Sequence, residues 1–187
     1  MSIGVKELKD KIRKEIIRRL QKQSYVIRDK RSKKINEKLL FSDEFKNSEV
    51  IMTYVSLKTE VDTYGFIKEA LKKGKKIVVP YLEPDSRDLY ITELTTFKDL
   101  EKGFLGIYQP KLIKNVPFDQ INLVIVPGIA YDKKNTRLGR GKAYYDRFLS
   151  KLDLSKIKII GLGFSFQVLD FIPLDCHDIP MHKIITD

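Results

Sequence analysis

The residues best suited to chemistry follow an apolar run at 123–126. A Pro-Gly turn comes first, and a polar segment then carries glycines at 139 and 141 just before a helical pattern that begins at Gly141. Glycine backbone, a helix N-terminus and cationic side chains all favour an anion, above all a phosphate. The cations of this segment are Lys133, Lys134, Arg137, Arg140 and Lys142.

Three of these cations are the primary phosphate candidates: Arg137, Arg140 and Lys142. An Arg fork matches phosphate oxygens, and Lys supplies a mobile point charge. The alternative is a solvated basic loop, but solubility alone does not require the close backbone approach that interleaved glycines permit. The segment lacks the G-x-x-x-x-G-K-[ST] pattern, so it is not a P-loop.

Carboxylates near this segment are candidate magnesium ligands. Asp146 lies one helical turn after Lys142, and Mg²⁺ takes one or two carboxylates together with phosphate oxygens and water. The alternative for Asp146 is an i, i+4 ion pair with Lys142. Asp175 or Asp178 in the tail could supply a second carboxylate. Asp132 is another candidate, but a turn-forming role explains it equally well.

Tyr145 begins an i, i+3, i+4, i+7 apolar stripe, which predicts a core position for its ring. Tyr144 points about 100° away on the same helix, and we expect it to face a ligand. Glu60, in a loop after an apolar strand, could accept hydrogen bonds from ring amino groups of a ligand, although a solvated loop Glu is the alternative. Lys9 and Arg13 lie beside the apolar stripe of the first helix, where they could reach a phosphate.

Apolar periodicity alternates between helices and strands along the chain. The predicted helices are 5–23, 29–41, 63–73 and 141–151. The predicted strands are 50–55, 76–80, 89–94, 123–126 and 157–163, with a short one at 184–185. Continuous apolar strands that alternate with helices indicate an α/β fold with a mostly parallel central sheet covered on both faces. Because ligands bind at the carboxyl ends of such strands, the loops 56–63 and 127–143 should share one edge.

Composition limits the classes of protein. The 187 residues, 42% of them apolar, suffice for one domain, 1–187. No apolar run approaches the roughly 20 residues that span a bilayer, no secretory signal is visible, and the one cysteine excludes a disulfide framework, so we expect a cytoplasmic protein without membrane contact. Of the net charge of +11, residues 1–40 hold +9. This charge could bind nucleic acid, but few aromatic residues interleave it, which favours solvated helices and no nucleic-acid partner.

The segment from Pro127 to Leu149, PG-[hydrophobic]-[small]-[aromatic]-D-x(4)-RLGRGK-x-YYDRFL, resembles the signature of the 5-formyltetrahydrofolate cyclo-ligase family. The resemblance extends over nearly the whole chain. Its other matching parts are Lys9 with Arg13, 54–63, 106–110 and 172–178.

The resemblance implies an α/β/α sandwich of the NagB/RpiA/CoA-transferase kind. It also implies an ATP- and Mg²⁺-dependent conversion of 5-formyltetrahydrofolate, with or without a polyglutamate tail, to 5,10-methenyltetrahydrofolate. We expect a monomer. The implied ATP ligands are Lys9, Arg13, Arg137, Leu138, Gly139, Arg140, Gly141, Lys142, Ala143, Tyr144 and Tyr145.

The resemblance assigns the remaining roles as well. Val55 and Glu60 match folate-contacting positions, and Arg140 and Tyr144 lie near the folate formyl group. Asp146 and Asp175 match magnesium positions. The catalytic residues are expected to be Arg140, Lys142 and Tyr144.

Three positions depart from the family pattern. Ala143 stands where many members have Gly, which makes the backbone slightly less free at the helix start. His182 stands where Asp is common, so any role of that carboxylate is lost, and Asp175 stands where Glu or Asn is frequent. Two other functions remain as alternatives. One is a nucleic-acid-binding protein that uses the basic N-terminal helices. The other is a nucleotide-binding enzyme of the same fold with a different acceptor, which the Glu60 loop would distinguish.

Overall fold

Five helices pack around a central sheet in the computed structural model, which describes residues 4–187. Their bounds are α1 Val5–Lys22, α2 Tyr25–Phe41, α3 Asp43–Lys46, α4 Tyr64–Lys72 and α5 Tyr144–Leu149.

Eleven strands form three sheets within the described residues. They are β1 Val50–Met52, β2 Lys76–Tyr81, β3 Tyr90–Leu94, β4 Leu100–Lys102, β5 Tyr108–Pro110, β6 Leu123–Pro127, β7 Ala130–Asp132, β8 Arg137–Leu138, β9 Lys158–Leu162, β10 Val168–Leu169 and β11 Lys183–Ile185. The central sheet has the order β11-β9-β6-β1-β2-β3. All its pairings are parallel except β2–β3, which is antiparallel. The predicted α/β fold with a mostly parallel sheet is confirmed.

Apolar clusters cover both faces of the central sheet because successive strand residues point to opposite sides. In β6, Leu123 and Ile125 face the cluster that contains Ile16, Leu20 and buried residues of α2 and α4. Val124 and Val126 face the other cluster, which contains buried residues of α5. Both faces of these strands are buried, which explains their continuous apolar runs. A strand with only one buried face would alternate apolar and polar residues.

Several element boundaries differ from the predicted ones. Helix α2 begins at Tyr25 rather than at 29, because the Ser24 side chain accepts a hydrogen bond from the Ile27 N–H (3.3 Å) and caps the helix. The strand predicted over 50–55 ends at Met52, and the chain continues as a buried irregular segment. Gly74, directly after the predicted helix 63–73, follows the end of α4 with φ +76°.

The stretch 95–120, in which neither a helix nor a strand was predicted, contains the small antiparallel pair β4–β5 and three short 3₁₀ turns. No helix within residues 4–187 is both long and apolar enough to cross a membrane.

Candidate functional site

Three loops meet at the carboxyl edge of the central sheet. They follow the parallel neighbours β6, β1 and β2 and span 128–143, 53–63 and 82–89. Arg140 Nη2 donates to Glu60 Oε1 at 3.0 Å, although the two residues are 80 positions apart. This contact confirms that the two loops singled out in the sequence share one edge.

The cation-rich loop leaves regular structure just before α5. Arg137 and Leu138 form β8, which pairs antiparallel with β7. Gly141 has φ +95°, and Ala143 has φ 52° and ψ 23°. Both backbones are left-handed, so a right-handed helix cannot include these residues and α5 begins after them. The predicted helix 141–151 is therefore wrong at both ends: α5 spans only Tyr144–Leu149.

Arg137 lies under this loop rather than on it. Its side chain is 3% exposed, with Nη1 donating to the Pro127 carbonyl (3.3 Å) and Nη2 to Asp146 Oδ1 (2.7 Å). The guanidinium also lies 5.6 Å from the centre of the Tyr145 ring. Gly139 is required here, since a Cβ at that position would lie 2.8 Å from Arg137 Nη1. Direct contact of Arg137 with phosphate stays a prediction, and its burial favours a supporting role.

Asp146 does not form the i, i+4 pair with Lys142 that was its alternative role. Its partner is Arg137, and its side chain is 14% exposed. The positive charge of the buried Arg137 guanidinium attracts the Asp146 carboxylate at the base of the loop. A carboxylate fixed through one oxygen can offer the other oxygen to a metal.

Helix α1 contributes two cations to the same site. Lys9 is 8% exposed and pairs with Asp178, and Arg13 Nε donates to the Gly139 carbonyl at 2.9 Å. Asp10 holds the Arg13 guanidinium from the other side (2.6 Å). The i, i+4 spacing of the two cations therefore brings Lys9 to the tail and Arg13 to the loop, and their contact with ATP stays a prediction.

The tail carboxylates have distinct partners. Asp175 is exposed and accepts from the Cys176 N–H (2.8 Å), and hydrogen bonds from Cys176 hold the pKa of Asp175 below its ordinary value. Asp178 accepts from the Asp175 N–H (2.8 Å) as well as from Lys9. Asp132 takes the turn-forming role, because its Oδ1 accepts from Lys134 and Thr136 N–H groups (both 2.9 Å).

The two residues that match folate-contacting positions, Val55 and Glu60, lie in the loop 53–63. Glu60 is 12% exposed and accepts from the Leu57 N–H (2.9 Å) in addition to Arg140, so it is not a solvated loop Glu. It borders a small cavity with Tyr54, Gly128 and Gln167. Val55 is buried in the apolar cluster that also contains Leu138, so any ligand contact of either side chain stays a prediction.

The two tyrosines of α5 are both half-buried. Tyr145 packs against the Arg137 guanidinium, and burial raises its pKa. Tyr144 Oη donates to the Ser86 carbonyl at 3.4 Å. In contrast, Lys142 is exposed at the rim, and the Arg140 side chain is 49% exposed, so both can reach a ligand.

The third loop, 82–89, was not predicted to belong to the site. It contacts α5 through Tyr144 and through Arg147, whose Nε donates to the Arg87 carbonyl at 2.9 Å. Its position after β2 was the available signal, because 76–80 had been predicted as a strand of the same sheet.

A metal bound here would not be enclosed by protein carboxylates alone. Residues 4–187 contain no group of three or more His, Cys, Asp or Glu that could hold a metal ion. Mg²⁺ fits such a site, because phosphate oxygens and water complete its shell around one or two carboxylates.

Fold and site together define an α/β protein whose cation-rich loop lies at the carboxyl edge of a mostly parallel sheet. The chain belongs to the 5-formyltetrahydrofolate cyclo-ligase family, whose sequence profile matches residues 5–187. It is 28% identical to the 5-formyltetrahydrofolate cyclo-ligase of Mus musculus, over 100% of this chain and 97% of the mouse protein. It is 30% identical to that of Mycoplasma pneumoniae, over 96% of this chain and 98% of the relative. The solved structure of Aquifex aeolicus 5,10-methenyltetrahydrofolate synthetase superposes with a TM-score of 0.83 at 31% identity, covering 96% of this chain and 89% of that one.

Proposed function

We propose that this chain converts 5-formyltetrahydrofolate to 5,10-methenyltetrahydrofolate with ATP and Mg²⁺. The observation that carries the proposal is the Arg140–Glu60 pair (3.0 Å), which joins the cation-rich loop to the loop with the folate-matching residues. A phosphate donor and a formyl acceptor held by these two loops would lie side by side. We further propose the α/β/α layering of the NagB/RpiA/CoA-transferase kind.

The cations of the loop and of α1 would hold the triphosphate. Arg140 and Lys142 are exposed at the rim, and Arg13 lies against the loop, with its guanidinium carbon 3.5 Å from where a Cβ on Gly141 would be. Positioning and charge neutralisation are what phosphoryl transfer requires from a protein. Bound ATP supplies the phosphoryl group that converts the formyl oxygen into a leaving group, so that N10 can close the ring as phosphate departs.

Acidic residues would hold the metal and the folate. Asp146, oriented by Arg137, is the proposed Mg²⁺ ligand, with Asp175 as the second carboxylate. Metal ligands held by a hydrogen-bonded partner in this way are oriented before the ion arrives. Glu60 would accept hydrogen bonds from ring amino groups of the folate. Tyr144 would orient the formyl group, and no side-chain nucleophile is required.

The test is the absorbance of the methenyl-folate product from purified protein, 5-formyltetrahydrofolate, Mg²⁺ and ATP, with ATP omitted in parallel. We expect an ATP-dependent rise. Arg140→Ala should abolish it while the protein stays folded, whereas Arg18→Ala, which removes an exposed arginine paired with Glu15, should not. No rise, with ATP still bound, would indicate a different acceptor. Normal turnover in Arg140→Ala would refute the site.

A further inference from the structure

We propose that Arg147 is a positioning residue for residues 139–143, the phosphate-site loop. It acts through the Lys142 carbonyl and the Tyr144 ring. The inference rests on the proposed function, because the loop it positions is the proposed nucleotide site. Arg147 itself lies in α5, one turn after Tyr144, and is half-buried.

Arg147 uses its whole guanidinium to join two loops. Nη1 donates to the Lys142 carbonyl (3.1 Å), while Nε donates to the Arg87 carbonyl (2.9 Å) and Nη2 donates to that same carbonyl. The guanidinium carbon also lies 5.3 Å from the centre of the Tyr144 ring, within cation–π range. One planar cation thus contacts the loop before α5, the loop after β2 and the first residue of the helix.

The loop needs such a support because its own conformation is not fixed by regular structure. Residues 139–143 belong to no helix or strand, and both Gly141 and Ala143 have positive φ. A trans peptide is planar, with its N–H directed opposite to its C=O. Because Arg147 holds the Lys142 carbonyl, the Ala143 N–H is directed away from the Arg147 guanidinium, and it can serve there as a fixed donor.

Tyr144 is fixed by the same arrangement. Arg147 lies over its ring, and its hydroxyl donates to the Ser86 carbonyl (3.4 Å), in the loop that Arg147 also binds. A guanidinium is suited to this task because it donates in several directions from one plane, whereas a lysine ammonium cannot both span the two carbonyls and stack on the ring.

Lys151 provides a matched control. It ties the residues directly after α5 to the same loop, with Nζ 2.9 Å from Asp88 Oδ1, and its side chain is 44% exposed. Lys151→Gln removes one positive charge and one contact with loop 82–89, as Arg147→Gln does. Lys151 lies one turn farther from Lys142 and Tyr144, so the two variants differ in the support of the phosphate-site loop.

The experiment measures kcat and KM for ATP, together with urea unfolding, for wild type, Arg147→Gln, Arg147→Lys and Lys151→Gln. We expect Arg147→Gln to lower kcat/KM for ATP by about ten- to a hundredfold, the scale of a small misplacement of binding groups. Arg147→Lys should recover only part of this loss, and its pH profile should keep the wild-type shape. Lys151→Gln should match wild type in both kinetic constants.

Unchanged kcat/KM in Arg147→Gln, or an equal loss in Lys151→Gln, would overturn the proposal. If Arg147→Gln does not fold, Arg147→Lys decides by the same comparison at matched urea stability. If wild type makes no methenyl-folate, the proposed function fails separately. Calorimetric titration with a non-hydrolysable ATP analogue then compares the same variants, and equal affinities in wild type and Arg147→Gln would refute the positioning role.

Discussion

At the scale of single residues, Ala143 holds a conformation that its methyl group opposes. Its φ of 52° and ψ of 23° are left-handed, which costs an L-residue about 1–2 kcal/mol. Glycine removes this strain but gains about 0.4–1 kcal/mol of conformational entropy in the unfolded chain. We therefore expect Ala143→Gly to raise the free energy of unfolding by about 0.5–1 kcal/mol in urea. Ala70→Gly, in the buried face of α4, should lower it, and a loss of stability in Ala143→Gly would contradict the strain argument.

His182 makes the stability of the sheet edge depend on pH. Its Nδ1 accepts a hydrogen bond from the Ile159 N–H (3.0 Å), which only a neutral ring can do. Burial, and then the charge of Lys158, lowers the pKa of His182 below its ordinary value of 6.5. The folded-state pKa is thus the lower one, so this contribution to stability is complete above about pH 6.5 and is lost as the pH falls through the folded-state pKa.

Urea unfolding between pH 7.5 and 5 tests this dependence. His182→Asp keeps an acceptor for Ile159 and should flatten the pH dependence in this window. His177→Gln, at the exposed second histidine, should leave the wild-type slope unchanged. Equal slopes in wild type and His182→Asp would show that His182 is not the titrating group.

Residue types alone could not assign the roles of the arginines in the loop. Arg137 and Arg140 are three positions apart in one basic segment, and side-chain chemistry makes both good phosphate ligands. The fold separates them, because β8 places Arg137 beneath the loop with Asp146 and leaves Arg140 half exposed at the rim. Which arginine is buried depends on the pairing of β8 with β7 and on the contacts of Arg137 with Pro127 and Asp146, and residue types alone do not reveal these.

At the scale of elements, the Glu60–Arg140 pair links the loops after β1 and β6 and occupies a side chain of each proposed subsite. A nucleotide that draws the Arg140 guanidinium toward its phosphates competes with Glu60 for it. Removing the charge of Glu60, the partner of Arg140, should therefore strengthen nucleotide binding when folate is absent. Partly exposed ion pairs contribute about 0.2–1 kcal/mol, so the gain in affinity in Glu60→Gln should be about 1.4- to fivefold.

Calorimetric titration with a non-hydrolysable ATP analogue measures this gain. Glu60→Gln should bind the analogue more tightly and 5-formyltetrahydrofolate more weakly than wild type. Glu44→Gln, which breaks the ion pair with Lys183 outside the three loops, should change neither affinity. Weaker binding of the analogue by Glu60→Gln would show that Glu60 supports Arg140 rather than competing for it.

Long apolar elements were predictable, whereas short ones were not. Helices α1 and α4 and the strands β2, β3, β6 and β9 follow clear periodicity and lie within a few residues of their predicted bounds. Strands β7, β8 and β10 have only two or three residues, too few for any period to be visible. Helix α5 begins later than predicted because residues 141 and 143 have a left-handed backbone. The residue types after Gly141 do not reveal this backbone.

At the scale of the whole molecule, the net charge of +11 is concentrated in the first 40 residues, which include α1 and most of α2. Helix α1 also carries Lys9 and Arg13 into the site. The positive field of these helices therefore extends to the place where a polyanionic nucleotide would bind. Such fields raise association rates, and salt screens them over about 10 Å at 0.1 M.

This arrangement predicts that charge outside the site assists nucleotide capture without taking part in turnover. Lys14, Lys30 and Lys34 are exposed on α1 and α2. Reversing all three to Glu should lower kcat/KM for ATP several-fold at low ionic strength, leave kcat unchanged, and weaken the dependence of kcat/KM on salt. Reversal of Lys72, Lys73 and Lys75, around the end of α4, provides a control with the same change in net charge.

The same variants separate electrostatic steering from nucleic-acid binding. If the basic helices served a nucleic acid, wild type would bind single-stranded RNA with an affinity that falls steeply with salt, because bound phosphates release counterions. The triple reversal on α1 and α2 would then abolish RNA binding and leave kcat/KM for ATP unaltered. We expect the opposite pattern, since Lys9 and Arg13 tie α1 to the tail and to the loop that carries Arg140. Equal effects of the two triple reversals on kcat/KM would instead mean that net charge, not its placement beside the site, governs nucleotide capture.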